Sequence, residues 1–347
     1  MSDDNVRVGI VGAGANTVAR HIPGLQDIKG VEILGVCNRS AESSEKVAAK
    51  FGIPKIYEHW VEAVEDPEIE AIVIGTWPYM HCPVTLAALE EGKHVLTEAR
   101  MAMNANEAYE MLSAAQEQPE LVAQIVPSPM TLGVDRTIQR LLAEGYVGEV
   151  LAVEVQVSGD FIDRESPLHW RQNFDLSGLN IMGMGIYYEA IQRWLGSASR
   201  VMALGKTFVK TRRDGEGRLR SLRIPDHIDV LADMECGAQL HMQLSSVAAF
   251  QQGEGVYVFG SEGMLRFLDD KLFGARRGDS APAEITIAPE DHGGWRVEEE
   301  FINAIRGRET VTHTSFEDGV KYMEFTEAVS LSLAGGRAVT LPLALDS

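Results

Sequence analysis

The feature that most constrains this chain is a pair of glycines set between an apolar strand and a helix. Val6–Val11 is a short β-type run, and it leads directly into Gly12-Ala13-Gly14-Ala15-Asn16-Thr17. Gly12 permits a tight turn, and Gly14 lets the backbone approach a pyrophosphate. The helix beginning at Thr17 then offers free N–H groups and the positive end of its dipole to the phosphates. Gly12, Gly14, Ala15, Asn16 and Thr17 are therefore the expected dinucleotide-binding residues. The third glycine of the full pattern is absent, and Thr17 stands in its place. A plain strand–helix turn could also carry Gly-x-Gly. The order strand, loop, helix, second strand favours the phosphate-binding alternative.

The rest of the N-terminal half keeps that alternation. Val31–Cys37 reads as a second strand and 40–51 as a helix. Further strands are expected at 69–75, 94–96 and 121–126, with helices at 83–91 and 105–116. Pro23 should end or bend the first helix, expected over 17–25. Strands alternating with helices predict a doubly wound parallel sheet, a Rossmann domain over 1–126. Beyond it, strand-like runs dominate at 151–157, 201–209, 230–234, 239–245 and 255–260. Helical spacing occurs at 137–144, 186–195 and 295–305. This predicts an α+β domain over 127–347 with a mostly antiparallel sheet, giving an α/β protein overall. The final segment can pack back on the first domain.

Composition narrows the partners. The formal charge of -20 repels phosphate backbones, so nucleic acid is not an expected partner. No stretch is long and apolar enough to span a bilayer, and the acidic first residues do not resemble a signal peptide. Cys37, Cys82 and Cys236 build neither a disulfide framework nor a metal pair. A cytoplasmic protein is the expectation. Asp226, His227, Asp229, Glu235 and His241 invite a metal reading, but strand alternation should scatter them over both faces, so no metal is expected.

Further cofactor contacts are expected where strands end. After the second strand comes Asn38-Arg39-Ser40 rather than a carboxylate. Asn38 can bond a ribose, while Arg39 and Ser40 can meet a 2′-phosphate, which tilts the expected coenzyme from NAD toward NADP. A solvated loop charge is the alternative for Arg39. Thr76, Trp77 and His81 follow the strand at 69–75 and are expected near the nicotinamide; for His81 an idle helix terminus is the alternative.

The chain resembles the Gfo/Idh/MocA family, the glucose–fructose oxidoreductase and inositol dehydrogenase group, along nearly its whole length. The likeness is carried by Gly-x-Gly with His21-Ile22-Pro23-Gly24-Leu25, by Thr76–His81, and by Gly92-Lys93-His94-Val95-Leu96-Thr97-Glu98. Gly145–Val150, His169-Trp170-Arg171, Arg193-Trp194-Leu195-Gly196 and Gly336–Val339 continue it. The resemblance implies hydride transfer between a nicotinamide coenzyme and a sugar, cyclitol or related polyol held between the domains. It also implies a homodimer or homotetramer joined through the open sheets, and contact between Glu98 and the nicotinamide or its ribose.

The departures fall on the chemistry. Where the family has Glu-Lys-Pro this chain has Glu98-Ala99-Arg100. Where it has an aspartate and a histidine four apart, Gly183 and Tyr187 stand, and Ala190 replaces a further aspartate. Three possibilities stay open. Tyr187 serves as acid–base group of an oxidoreductase, with Arg171 lowering its pKa. Alternatively the bound nicotinamide is recycled through oxidation, elimination and reduction, as in a glycosidase or lyase. Or catalysis is lost, leaving a ligand-binding sensor. Tyr187, Arg171 and Glu98 are the catalytic candidates. Trp170, Asn173, Asn180 and Tyr188 are the substrate-binding candidates, Trp170 by stacking on a sugar ring, although a helix should turn only one of Tyr187 and Tyr188 to the cleft. Packed or solvated roles are the alternatives for each.

Overall fold

The computed structural model describes residues 5–250 and 253–344. The chain forms two compact units: Met1–Pro127 with Arg296–Val320, and Ser128–Trp295 with Lys321–Ser347.

The first unit holds six strands: β1 (Val6–Val11), β2 (Val31–Cys37), β3 (Lys55–Ile56), β4 (Ala71–Ile74), β5 (His94–Thr97) and β6 (Ala123–Ile125). They pair in the order β3-β2-β1-β4-β5-β6, all in parallel. The winding reverses between β1 and β4, so the crevice of the sheet opens at the carboxyl ends of those strands. Helices cover the sheet, and β4 (Ala-Ile-Val-Ile) is buried at every position, hence its run without alternation.

The first helix departs from the expectation for Pro23. Thr17–His21 is one wide π turn, closed by the Ile22 N–H bonding to Thr17 O, and an α-helix runs on over Ile22–Asp27. Pro23 thus lies in a first turn, where its missing N–H is not needed. The helix placed in the second domain by sequence, Val297–Ile305, belongs to the first unit. Its buried Glu298 and Glu300 find partners there, in His21 and Gln124.

The second unit is built on a nine-stranded sheet. Its members are β7 (Val150–Val157), β8 (Ala198–Lys206), β11 (His227–Met234), β12 (Gln239–Ser245), β13 (Gly255–Gly260), β14 (Gly263–Leu268), β15 (Lys271–Arg276), β16 (Ala283–Glu284) and β17 (Val339–Thr340). A separate ribbon pairs β9 (Thr211–Arg213) with β10 (Leu219–Ser221). The large sheet runs β16-β15-β14-β13-β7-β12-β11-β8-β17 and is antiparallel except between β7 and β12. One face is apolar: Ile228, Val230, Ala232 and Met234 of β11 are buried, and their neighbours in sequence are not. That face packs helices; Ser332 of the helix Phe316–Gly335 accepts from Ala203 N of β8. The opposite face leaves Met202, Leu204 and Leu231 exposed.

Candidate functional site

The loop after β1 is shaped by missing side chains. Gly12 has φ +84°, and a Cβ there would lie 2.5 Å from Thr76 Cγ2 and 2.7 Å from Thr76 N. A Cβ on Gly14 would lie 2.9 Å from Gly75 O. Thr17, in place of the third glycine, is fully buried with Oγ1 3.4 Å from Gly12 O. It fits because Gly75, just past β4, faces it: a Cβ on Gly75 would come 2.0 Å from Thr17 Oγ1. The third glycine of the motif exists to let helix and strand approach. Here the space comes from the strand side, through a residue that sequence reasoning read only as the end of a strand.

At the end of β2, Asn38 is tied to the loop. Its Oδ1 accepts from Ala13 N at 2.6 Å and its Nδ2 donates to Ser43 Oγ at 3.0 Å. Asn38 therefore holds the glycine loop in place, a role the sequence did not reveal. Ser40 caps the helix Ala41–Phe51, accepting from Ser43 N at 3.3 Å. Arg39 is exposed, its guanidinium 5.1 Å from the centre of the Trp77 ring. The structure thus brings Arg39 and Trp77, from the ends of β2 and β4, to one side of the loop.

His81 has no exposed surface, which corrects the expectation of a nicotinamide contact. It is fully buried, with Nδ1 2.9 Å from Arg100 O and Nε2 3.1 Å from Thr76 O. Burial pushes its pKa down against the pull of those two carbonyls. The ring clamps the segment after β4 to the segment after β5.

Glu98, one residue past β5, is the centre of a second cluster. Its Oε1 accepts from Asn16 Nδ2 at 2.5 Å and lies 3.0 Å from His21 Nε2; its Oε2 accepts from Ala99 N at 3.1 Å. The other ring nitrogen of His21 lies 2.5 Å from Glu298 Oε1. Burial alone would push the His21 pKa down, but the bonds to Glu298 and Glu98 and their charges raise it to about 9. Burial alone would push Glu98 up, but the His21 bond and charge and the Asn16 bond hold it below the usual carboxylate range. His21 was legible only as part of a family-like segment. The wide turn that aims it inward has no sequence signature, and Glu298 is remote in the chain.

In the second unit the substrate-binding candidates divide. Tyr188 is core, correcting its assignment: it is fully buried, stacked at 3.6 Å on Phe325, and its hydroxyl accepts from Ala198 N at 2.8 Å. Asn180 is also buried, and its amide donates to Ser177 O at 2.7 Å within its own loop. Asn173 caps the short helix Phe174–Ser177, accepting from Asp175 N. Arg171 is exposed and rests 4.2 Å over the Trp170 ring. Tyr187 is half-buried, and burial together with the charge of Glu254 raises its phenol above the ordinary value of 10. That is the reverse of the lowered pKa the base role required, so the Tyr187 phenol stays protonated at neutral pH.

The helix Met184–Leu195 carries a buried ionic network that sequence reasoning did not anticipate. Glu189 accepts from Ser128 N at 3.1 Å and from Arg193 Nη1 at 2.6 Å. Arg193 also meets Asp135 at 3.0 Å, and Trp194 Nε1 donates to Asp135 Oδ1 at 2.7 Å. On the open sheet face, Asp229 lies between His227 at 3.3 Å and His241 at 3.6 Å. These three share one face, contrary to the expected scatter. Among the described residues no group of three or more His, Cys, Asp or Glu is arranged to hold a metal ion.

A doubly wound sheet with a glycine loop at its switch point, joined to a large open-faced sheet, defines a Rossmann-type nucleotide-binding protein. Comparison with known proteins carries this further. The oxidoreductase family with an NAD-binding Rossmann fold, Gfo/Idh/MocA, matches residues 6–125, and the Gfo/Idh/MocA C-terminal domain matches residues 136–266. The chain belongs to the Gfo/Idh/MocA family. A mouse relative, trans-1,2-dihydrobenzene-1,2-diol dehydrogenase, is 26% identical over 287 residues, covering 81% of this chain and 78% of its own. Levoglucosan dehydrogenase of Pseudarthrobacter phenanthrenivorans is 23% identical over 283 residues, 75% of this chain and 70% of its own. A solved levoglucosan dehydrogenase in complex with NADH and L-sorbose superposes with a TM-score of 0.83 at 22% identity, over 97% of this chain and 99% of that one. An oxidoreductase domain protein from Kribbella flavida gives 0.84 at 22%, over 98% and 100%. Among the described residues no helix is long and apolar enough to cross a membrane.

Proposed function

We propose that this chain is an NAD(P)-dependent oxidoreductase acting on a sugar, cyclitol or related polyol. The observation that carries the reading is the loop Gly12–Gly14. An added Cβ at either glycine would meet Thr76 or Gly75, so the turn requires glycine at both positions, and it lies at the switch point of the sheet, where doubly wound folds seat phosphates. The coenzyme supplies the hydride-carrying group when bound. Gly12, Gly14, Ala15 and Asn16 would hold its pyrophosphate, and Glu98 its nicotinamide half. The relatives that include levoglucosan dehydrogenase support a carbohydrate-like substrate.

NADP is the favoured coenzyme in this reading. No carboxylate ends β2, Asn38 is engaged by Ala13 and Ser43, and exposed Arg39 offers a planar guanidinium for a 2′-phosphate. Tyr187 acts as proton donor to the substrate oxygen in the reductive direction, and Trp170 with Arg171 contacts the polyol. The open face bearing Met202, Leu204 and Leu231 supports self-association into a homo-oligomer.

The test is to incubate the purified protein with each oxidised dinucleotide and a polyol panel, following reduced-nicotinamide absorbance. Steady growth is expected with at least one pair. Tyr187→Phe should lower turnover while leaving dinucleotide affinity unchanged. Arg39→Ala should weaken NADP+ about tenfold or more while sparing NAD+, the scale of one charge-assisted contact. Product formed with substoichiometric dinucleotide and no growth would replace this reading with coenzyme recycling. Saturable binding without any product would replace it with a sensor.

A further inference from the structure

Behind the dinucleotide loop three ionisable side chains meet out of water. His21 comes from the π turn, Glu98 from the end of β5, and Glu298 from the helix Val297–Ile305. The imidazole has no exposed surface, and each nitrogen lies within hydrogen-bond reach of a different carboxylate. Ionised carboxylates only accept, so the ring satisfies both by donating from both nitrogens, as an imidazolium. Glu98 is the more open of the two carboxylates, its side chain 15% exposed against 5% for Glu298.

Glu98 is also the member tied to the dinucleotide loop, through Asn16. It lies beyond the switch point, on the β4–β5 side of the sheet. In doubly wound sheets the end of β2 takes the ribose of the adenosine half, so the β4–β5 half is left for the other mononucleotide. The nicotinamide ring carries a positive charge when oxidised and none when reduced, and a fixed anion nearby distinguishes the two.

We propose that His21 and Glu298 hold Glu98 as a fixed anion toward the nicotinamide half of the coenzyme, raising affinity for its oxidised form relative to its reduced form. His21 is then a positioning residue that acts through Glu98. The inference rests on the dinucleotide site proposed above. Glu98 and Glu298 are charged groups that face His21, and the buried His81 adds to the hold on Glu98 only where it is protonated. The raised affinity of His21 for its proton, to about 9, keeps the arrangement intact across neutral pH.

The experiment is to titrate NAD+, NADH, NADP+ and NADPH into wild type, Glu98→Gln and His21→Gln, reading dissociation constants by calorimetry between about pH 5.5 and 8, a window bracketing ordinary imidazole titration. In wild type the oxidised-to-reduced affinity ratio should stay flat across that window. Glu98→Gln should lower the ratio ~10-fold, the size of one modest charge–charge contact. In His21→Gln the ratio should match wild type near pH 8 and fall on acidification, because a buried Glu98 without the imidazolium takes up a proton. An unchanged ratio in Glu98→Gln, or a flat ratio in His21→Gln, overturns the proposal while leaving the dinucleotide site standing. Failure of wild type to bind any of the four forms removes the site itself, and this inference with it. If His21→Gln does not fold, the shape-conserving Glu98→Gln decides.

Discussion

At Gly75 an added Cβ would lie 2.0 Å from Thr17 Oγ1 and 2.2 Å from Gly12 O. The second atom is backbone, so no side-chain rotation relieves it. Gly75→Ala should therefore push the loop after β1 out of place. The expected cost is about 1–3 kcal/mol of stability, the usual range for overpacking, with loss of measurable dinucleotide binding. Thr17→Gly in the same chain removes only the first clash, so it should restore part of the stability and little of the binding. Urea denaturation and calorimetric titration check both; a Gly75→Ala protein with wild-type values would show that the loop is softer than its packing implies. Gly12 and Gly14 were legible because they lie two residues apart and are flanked by a strand and a helix. Gly75 was not, because its partner Thr17 is met only across the fold. Asn38 was read as a ribose ligand for the same reason: its type and place were visible, and its bond to Ala13 N was not.

Helices and strands were readable in proportion to the contrast between their faces. The helix Met184–Leu195 showed helical spacing, but Phe316–Gly335 did not, since Tyr322, Met323, Phe325, Thr326, Ala328, Val329 and Ser332 are buried around most of its girth. The β14–β15 hairpin turns on Asp269 and Asp270, both at positive φ, a two-residue turn that acidic residues tolerate and that left only a weak signal. The ionic network of Met184–Leu195 gives a prediction at this scale. Arg193 stands between Asp135 and Glu189, both nearly inaccessible to water. Arg193→Met leaves two buried carboxylates without their cation and should cost roughly 3–5 kcal/mol. Replacing all three together, Arg193→Met with Asp135→Asn and Glu189→Gln, should recover most of that loss, because no uncompensated charge remains. The urea midpoint of the single variant against the triple variant decides, and a triple variant less stable than the single one would show that the network contributes shape rather than charge balance.

The first unit is assembled from two stretches distant in the chain, which was only partly legible. Sequence periodicity points to a helix at 295–305 within 127–347 and leaves open only that the final segment packs back on the first domain, because what holds this helix is polar and specific rather than patterned. Glu298 meets His21, Glu300 accepts from Gln124 Nε2 at 2.9 Å, and Thr314 exchanges backbone bonds with Ile125 of β6. A fragment of residues 1–127 would lack all of these partners. It should unfold at lower urea than the first unit of the full chain, and joining residues 296–320 to it should restore both cooperativity and dinucleotide affinity. The same two carboxylates impose a pH signature. His21 has its folded pKa raised from 6.5 to about 9, so the stabilisation it confers is complete below about 6.5 and is lost as pH rises through about 9. The full chain should therefore lose stability, on the order of a few kcal/mol, as pH rises through that window. With Glu298 missing, the 1–127 fragment should show a weaker decline, and rejoining 296–320 should bring it back. A full chain whose urea midpoint does not move through that window would mean that His21 is neutral when folded, and that one carboxylate beside it already holds the proton.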